Sequence, residues 1–231
     1  MMRFLADDGQ PPLLVPAYKS TRLRAPLQAP IAIPETLTES DGPAPDWSRL
    51  MGASLADLTA QHRAAPLGQR IIVSGRVLDE HRRPVPDAMI EVWQANAAGR
   101  YAHAKDSWDA PLDPNFTGAG RVITDAEGRY RFVTIRPGAY PWGNHDNAWR
   151  PAHIHFSLLG PSFATRLVTQ MYFPDDPLIE LDPIANAVPM PYRQRMVSRF
   201  DLATTKPSWA LGYLFDIVLR GRDETPMEGP R

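Results

Sequence analysis

The chain contains no cysteine, which excludes disulfides and thiolate metal ligands and leaves any metal to nitrogen and oxygen donors. It also lacks an excess of either charge: 25 Lys and Arg stand against 26 Asp and Glu, a formal net charge of -1. Such a balance gives no footprint for nucleic acid and no polybasic surface for a membrane. No apolar run approaches the roughly 18 residues of a membrane span. The N-terminus turns acidic at Asp7 and Asp8 before a run of signal-peptide length has formed. The expectation is a cytoplasmic protein with neither nucleic-acid nor membrane partners.

What the chain has in quantity is proline, 25 of 231 residues, about twice the roughly 5% of average usage. Proline fixes φ and removes a backbone donor, so it shortens helices and suits short strands joined by rigid turns. Residues 11–45 are rich in it and show little periodicity. Leu13, Leu14, Val15, Leu23, Leu27 and Ile31 make this stretch too apolar for a solvated tail. An extended arm lying on a partner's surface is expected. Between residues 47 and 63, Leu50, Leu55 and Leu58, with Ala53, Ala56 and Ala60 between them, allow one or two short helical turns, Ser54 serving as N-cap.

From Gln69 the texture becomes that of strands. β-branched and alternating runs cover 71–78, 88–95, 121–124, 130–135, 153–159, 167–173 and 213–219. Asp125-Ala126-Glu127-Gly128 reads as a hairpin turn, and residues 190–200 as one short helix. Short strands at regular spacing with Gly and Pro turns predict an all-β fold, an antiparallel sandwich or barrel. The domain division that follows is an arm over residues 1–65 and a β-sandwich over 66–231. The pattern Gly75-x-Val77, Pro84-Val85-Pro86-x-Ala88 and Asp125-x-Glu127-Gly128-x-Tyr130-x-Phe132 resembles prealbumin-like sandwich modules. That resemblance also implies a reading in which the chain only binds and catalyses nothing.

The chemistry concentrates in Trp149-Arg150-Pro151-Ala152-His153-Ile154-His155-Phe156-Ser157. Side chains of an extended strand alternate, so His153 and His155 share one face while Ile154 and Phe156 take the packed one. Two imidazoles on one face can share a metal, yet they do not fill a coordination sphere. A facial triad would need a carboxylate close by, but the nearest one downstream of His155 is Asp175. The remaining oxygen donors include two tyrosines in unusual company. Tyr101 follows the Gly99-Arg100 turn, and Tyr140 sits in Arg136-Pro137-Gly138-Ala139-Tyr140-Pro141-Trp142. Either alone also suits an amphipathic rim position. A phenol with pKa about 10 becomes a ligand near neutral pH only beside a strong positive charge, such as Fe(III).

Taken together, Trp93-Gln94-Ala95-Asn96, Gly99-Arg100-Tyr101, Leu112-Asp113-Pro114-Asn115-Phe116, Arg136-Pro137-Gly138-x-Tyr140-Pro141 and the His-x-His stretch resemble the intradiol ring-cleavage dioxygenases. The likeness runs from Pro16-Ala17-Tyr18-Lys19 to Phe215-Asp216-Ile217-Val218-Leu219-Arg220-Gly221. It implies one non-haem Fe(III) per chain held by Tyr101, Tyr140, His153 and His155, with Tyr140 leaving the metal as a catecholic substrate binds. It implies that Arg150 stabilises negative charge on the activated ring, that Trp142 and Ile184 wall the substrate pocket, and that Gln170 and Tyr18 stand as polar groups near the iron. The branch it most resembles cleaves 3,4-dihydroxybenzoate with O2 to 3-carboxy-cis,cis-muconate and assembles with a homologous α chain into a larger hetero-oligomer. A relative acting on catechol or hydroxyquinol is the alternative within the family, though those carry a longer helical N-terminal region.

Overall fold

The computed structural model describes residues 9–29, 31, 55–143, 149–160 and 166–228. Its two main sheets hold one core between them. In the first, β1 (Arg70–Leu78) pairs antiparallel with β4 (Arg129–Ile135) along one side. Along its other side it pairs parallel with β10 (Leu211–Leu214) and then with β11 (Ile217–Val218), while β9 (Arg199–Phe200) closes the edge beyond β10. The second sheet has the order β3 (Ala119–Ile123), β2 (Met89–Trp93), β7 (His153–Leu159), β8 (Leu167–Tyr172), all antiparallel. A two-stranded ribbon joins β5 (Tyr140–Pro141) to β6 (Trp149–Arg150).

Alternation decides which side chains meet in the middle. Ile71 and Val73 of β1 and Phe132 of β4 face Ile90 and Val92 of β2 and Ile154, Phe156 and Leu158 of β7 in one buried cluster. Phe156 is the hinge of its aromatic contacts, with Tyr130, Phe132 and Phe215 ring centroids 5.2–6.1 Å away. Ile72 is also fully buried, against Val133 and Ala210 on the outer face of the first sheet. A strand covered on both faces is why 71–73 reads as an unbroken β-branched run rather than an alternating one. Among the described residues no helix is long and apolar enough to cross a membrane.

The all-β sandwich with few short helices is the architecture observed, with departures in detail. The pairing of β1 with β10 and β11 is parallel, so the first sheet is mixed. The Asp125 turn closes as expected, Gly128 N donating to Asp125 O and Asp125 N to Arg129 O. Yet β3 pairs with β2 and β4 with β1, so the turn arches between sheets instead of making a hairpin. The strand expected over 213–219 breaks in two around Phe215 and Asp216, where Asp216 Oδ1 accepts the Arg76 amide. The helix expected over 190–200 shrinks to one 3-10 turn, Tyr192–Met196, followed by β9.

Of the helical turns expected over 47–63, residues 47–54, with the Ser54 cap, lie outside the described residues. Residues 55–63 form turns and a bridge from Asp57 to Val133, without a helix. Leu58 N donates to Val133 O and Arg121 N to Leu55 O, so sheet-edge hydrogen bonding takes the backbone groups a helix would use. The arm instead contains a helix the proline-rich composition conceals, α1 (Lys19–Arg24). Thr21, buried at its centre, ties it down through Oγ1 to the Val15 and Tyr18 carbonyls.

Candidate metal centre

Strand register builds one side of the site. His153 and His155 project from β7 on the face opposite to Ile154 and Phe156, which are fully buried in the core. Directly paired residues of antiparallel strands point to the same side. Trp93 of β2 lies opposite His155 and stacks flat on it, ring centroids 4.7 Å apart and planes 6° from parallel. On the other flank Gln170 pairs with His155, and Tyr172 with His153. The ribbon supplies the next two groups, because Tyr140 and Arg150 are register partners across β5 and β6.

Tyr101 arrives on a loop pressed against the one that carries Tyr140. Asn96 shapes that loop, its Oδ1 accepting the Ala98 and Arg100 amides and its carbonyl those of Gly99 and Gly138. The two loops touch backbone to backbone. A Cβ at Gly99, where φ is +79°, would stand 2.2 Å from the Ala139 carbonyl oxygen, and one at Gly138 2.5 Å from that of Ala97. Only glycine permits both approaches. The Tyr101 and Tyr140 rings then meet edge to face at 5.4 Å.

The tautomers follow from what lies behind each imidazole. His153 Nδ1 is 2.7 Å from the Pro151 carbonyl and His155 Nδ1 is 2.6 Å from Glu228 Oε2. Both partners accept, so each Nδ1 carries a hydrogen, and each ring in its neutral form presents an Nε2 lone pair. Those two Nε2 atoms stand 3.2 Å apart, with Tyr140 Oη 3.3 Å from that of His153. Among the described residues the buried Tyr101 hydroxyl has no hydrogen-bond partner. Converging lone pairs beside an orphaned phenol suit a cation. Among the described residues no three His, Asp or Glu side chains group as metal ligands, so a metal held here would have to draw on the two phenols as well.

Arg150 is 2% exposed and its guanidinium is enclosed. Nε and Nη2 grip the two oxygens of Asp182, itself fully buried, at 3.2 and 2.8 Å. Nη2 also donates to Gln170 Oε1 (2.6 Å). Nη1 turns to the site, 3.1 Å from His153 Nε2 and 3.3 Å from Tyr140 Oη. Burial works against the Arg150 charge, but Asp182 outweighs it and holds the guanidinium protonated. Burial, then the Arg150 charge and His155, push His153 well below 6.5, so it is neutral and ready to ligate. Burial, with Tyr140 beside it, holds Tyr101 well above 10. That phenol releases its proton only to a strong local positive charge.

Tyr101, Tyr140 and His155 open on a cleft of about 660 Å³ whose walls include Trp93, Trp108 and Trp142. His153 lies behind them. Flat indole walls suit a planar aromatic guest. Of the other residues singled out by sequence, Trp142 lines the cleft, and Tyr18 packs edge-on against Trp142 at 5.5 Å. Gln170 bonds Arg150. Ile184 is buried in the short helix α2 (Pro183–Ala187), its amide donating to Asp182; it is not among the residues lining this cleft. Sequence reasoning misses Asp182 and Glu228, whose partners lie 32 and 73 residues away. Asp182-Pro183 signals only the helix N-cap that Asp182 also is.

A family model described as Dioxygenase matches residues 43–221, and one described as Protocatechuate 3,4-dioxygenase beta subunit N terminal matches residues 6–36. The protocatechuate 3,4-dioxygenase beta chain of Burkholderia cepacia is 59% identical over 222 residues, 95% of this chain and 94% of that one. The alpha chain from the same organism is 31% identical over 75% of this chain and 85% of its own length. Among solved structures, the dioxygenase domain of a dioxygenase carbohydrate-binding protein fusion from Streptomyces sp. SirexAA-E superposes with a TM-score of 0.52 at 25% identity, covering 71% of this chain and 86% of that one. With a Dioxygenase match over most of its length and such identity to a beta chain over nearly all of it, the chain belongs to the intradiol ring-cleavage dioxygenases.

Proposed function

We propose that the chain opens the ring of protocatechuate (3,4-dihydroxybenzoate) with O2 to give 3-carboxy-cis,cis-muconate, using one non-haem Fe(III) held by Tyr101, Tyr140, His153 and His155. The observation that carries this reading is the pair of Nε2 atoms 3.2 Å apart beside the Tyr101 hydroxyl, which finds no hydrogen-bond partner among the described residues. Two neutral imidazoles and two phenolates offset two of three charges on a ferric ion, and hard oxygen donors suit it. Bound there, Fe(III) would supply Lewis acidity that acidifies the catechol hydroxyls and makes the ring reactive toward O2.

The residues have separate duties. Tyr140, on the cleft and within reach of Arg150, would help hold the metal and would accept a proton from a substrate hydroxyl that takes its place. Arg150, kept charged by Asp182, faces the negative charge that builds on the ring. Trp142, with Tyr18 packed on it, bounds the substrate's plane. Gln170 aims Arg150, and the Ile184 amide donates to the Asp182 carboxylate that holds it.

Residues 1–65 act as a partner-contacting arm and 66–231 as the catalytic sandwich, working in the cytoplasm. Leu23, Leu27 and Ile31 of the arm stand exposed, and the likeness to both beta and alpha chains supports a homologous α chain as their cover in a larger hetero-oligomer. Purified iron-loaded protein is expected to show a visible phenolate-to-Fe(III) absorption and to consume O2 with protocatechuate faster than with catechol, most of all with the α chain present. A colourless iron-loaded sample overturns the ligand assignment, and faster uptake with catechol overturns the substrate.

A further inference from the structure

His153 and His155 are equivalent in sequence pattern but are held differently from behind. His153 donates to a neutral acceptor, the Pro151 carbonyl, two residues away in the turn just before its strand. His155 donates to a carboxylate, Glu228 Oε2 at 2.6 Å, with 13% and 21% of the two side chains exposed. Trp93 lies flat on the same imidazole. A ring stacked on one face and bonded at Nδ1 has neither tilt nor tautomer left to choose. A carboxylate behind an imidazole also makes its Nε2 a stronger donor than a carbonyl does.

Glu228 reaches His155 because residues 224–228 run as a strap beside β8, the edge strand of its sheet. Glu228 N donates to Val168 O (2.9 Å), Thr169 Oγ1 to Pro226 O (2.6 Å), and Thr225 N to Val218 O (2.9 Å). Met227 packs on the core between the sheets. The N-terminal arm then latches the strap: Gln10 Oε1 accepts the Met227 amide (2.8 Å), and Gln10 Nε2 donates to Glu224. These ties together hold in place the residue that reaches His155.

We propose that Glu228 is a positioning residue of the metal centre. The strap, latched by Gln10, delivers a carboxylate that fixes His155 as the Nδ1–H tautomer and makes it the stronger donor of the two imidazoles. This rests on His155 being an iron ligand. Loosening Gln10, remote from the metal, weakens the hold on Glu228 and through it the iron site.

The test uses the iron-loaded full-length chain as wild type, Glu228→Gln, Glu228→Ala and Gln10→Ala. Glu228→Gln keeps the size and an acceptor but removes the charge. Its phenolate-to-Fe(III) band is expected at lower energy and its Fe(III)/Fe(II) midpoint at higher potential, with the thermal unfolding midpoint unchanged. Glu228→Ala is expected to lose iron to a chelator roughly 10- to 100-fold faster, and Gln10→Ala to shift the same way by less. Wild-type band, potential and chelator rate in Glu228→Gln and Glu228→Ala overturn the proposal. A wild-type protein that holds iron without a phenolate band refutes the tyrosine ligands instead; the potential and chelator rate then still decide for or against Glu228.

Discussion

Arg150 and Asp182 face each other in the interior at 2.8 Å, their side chains 3% and 0% exposed. Asp182 also accepts the Tyr172 hydroxyl and caps α2 through the Ile184 amide. Removing one member of such a pair strands the other's charge out of water, at a cost of roughly 3–5 kcal/mol. Asp182→Ala is therefore expected to lower the unfolding free energy by that amount in urea titrations. A loss below about 1 kcal/mol would mean that the guanidinium finds another counter-charge.

Charge alone does not account for Arg150. Its fork serves Asp182 and Gln170 with Nε and Nη2 while Nη1 points at Tyr140 and His153. A lysine ammonium is a point charge with one nitrogen and cannot span both sides. Arg150→Lys is expected to keep its iron and its colour but to lose about 100-fold in kcat, the usual scale for removing one transition-state donor. Iron loss in step with activity would assign Arg150 to holding the site together instead.

The strands and the inward faces were legible because alternation in extended chain is a local property: His153 and His155 against Ile154 and Phe156 follows from spacing alone. Partner choice is not local. Nothing in Asp125-Ala126-Glu127-Gly128 distinguishes a hairpin from an arch, since its hydrogen bonds close within the turn and the neighbours of β3 and β4 are decided elsewhere. The four converging donors were legible only as a resemblance. Asp182 and Glu228 were not, because a carboxylate that orients a functional group from 32 or 73 residues away leaves no spacing to read.

The two proposed ligand types differ in what their loss should do. Tyr140 opens on the cleft and has Arg150 and His153 as neighbours, whereas His155 is stacked, backed and central to the donor set. Tyr140→Phe is expected to retain iron and turn over slowly, while His155→Ala is expected to be purified with little iron. Metal analysis of the two proteins decides this. Equal iron loss in both would contradict a departing role for Tyr140.

Away from the site, Tyr130 sets an alkaline limit on stability. It is buried, and its hydroxyl donates to the Phe215 carbonyl. Burial first, then the Asp216 charge, hold its pKa well above 10. Above pH 10 the unfolded chain gives up this proton while the folded chain keeps it, so stability falls with rising pH by about 1.4 kcal/mol per unit for each such group. Tyr130→Phe leaves nothing to ionise at that position. At pH 7 it should cost about 1–3 kcal/mol for the stranded carbonyl, but its stability should decline less between pH 10 and 11.5 than the wild type's. Urea midpoints at the three pH values test both parts, and parallel declines in the two proteins would refute the role of Tyr130.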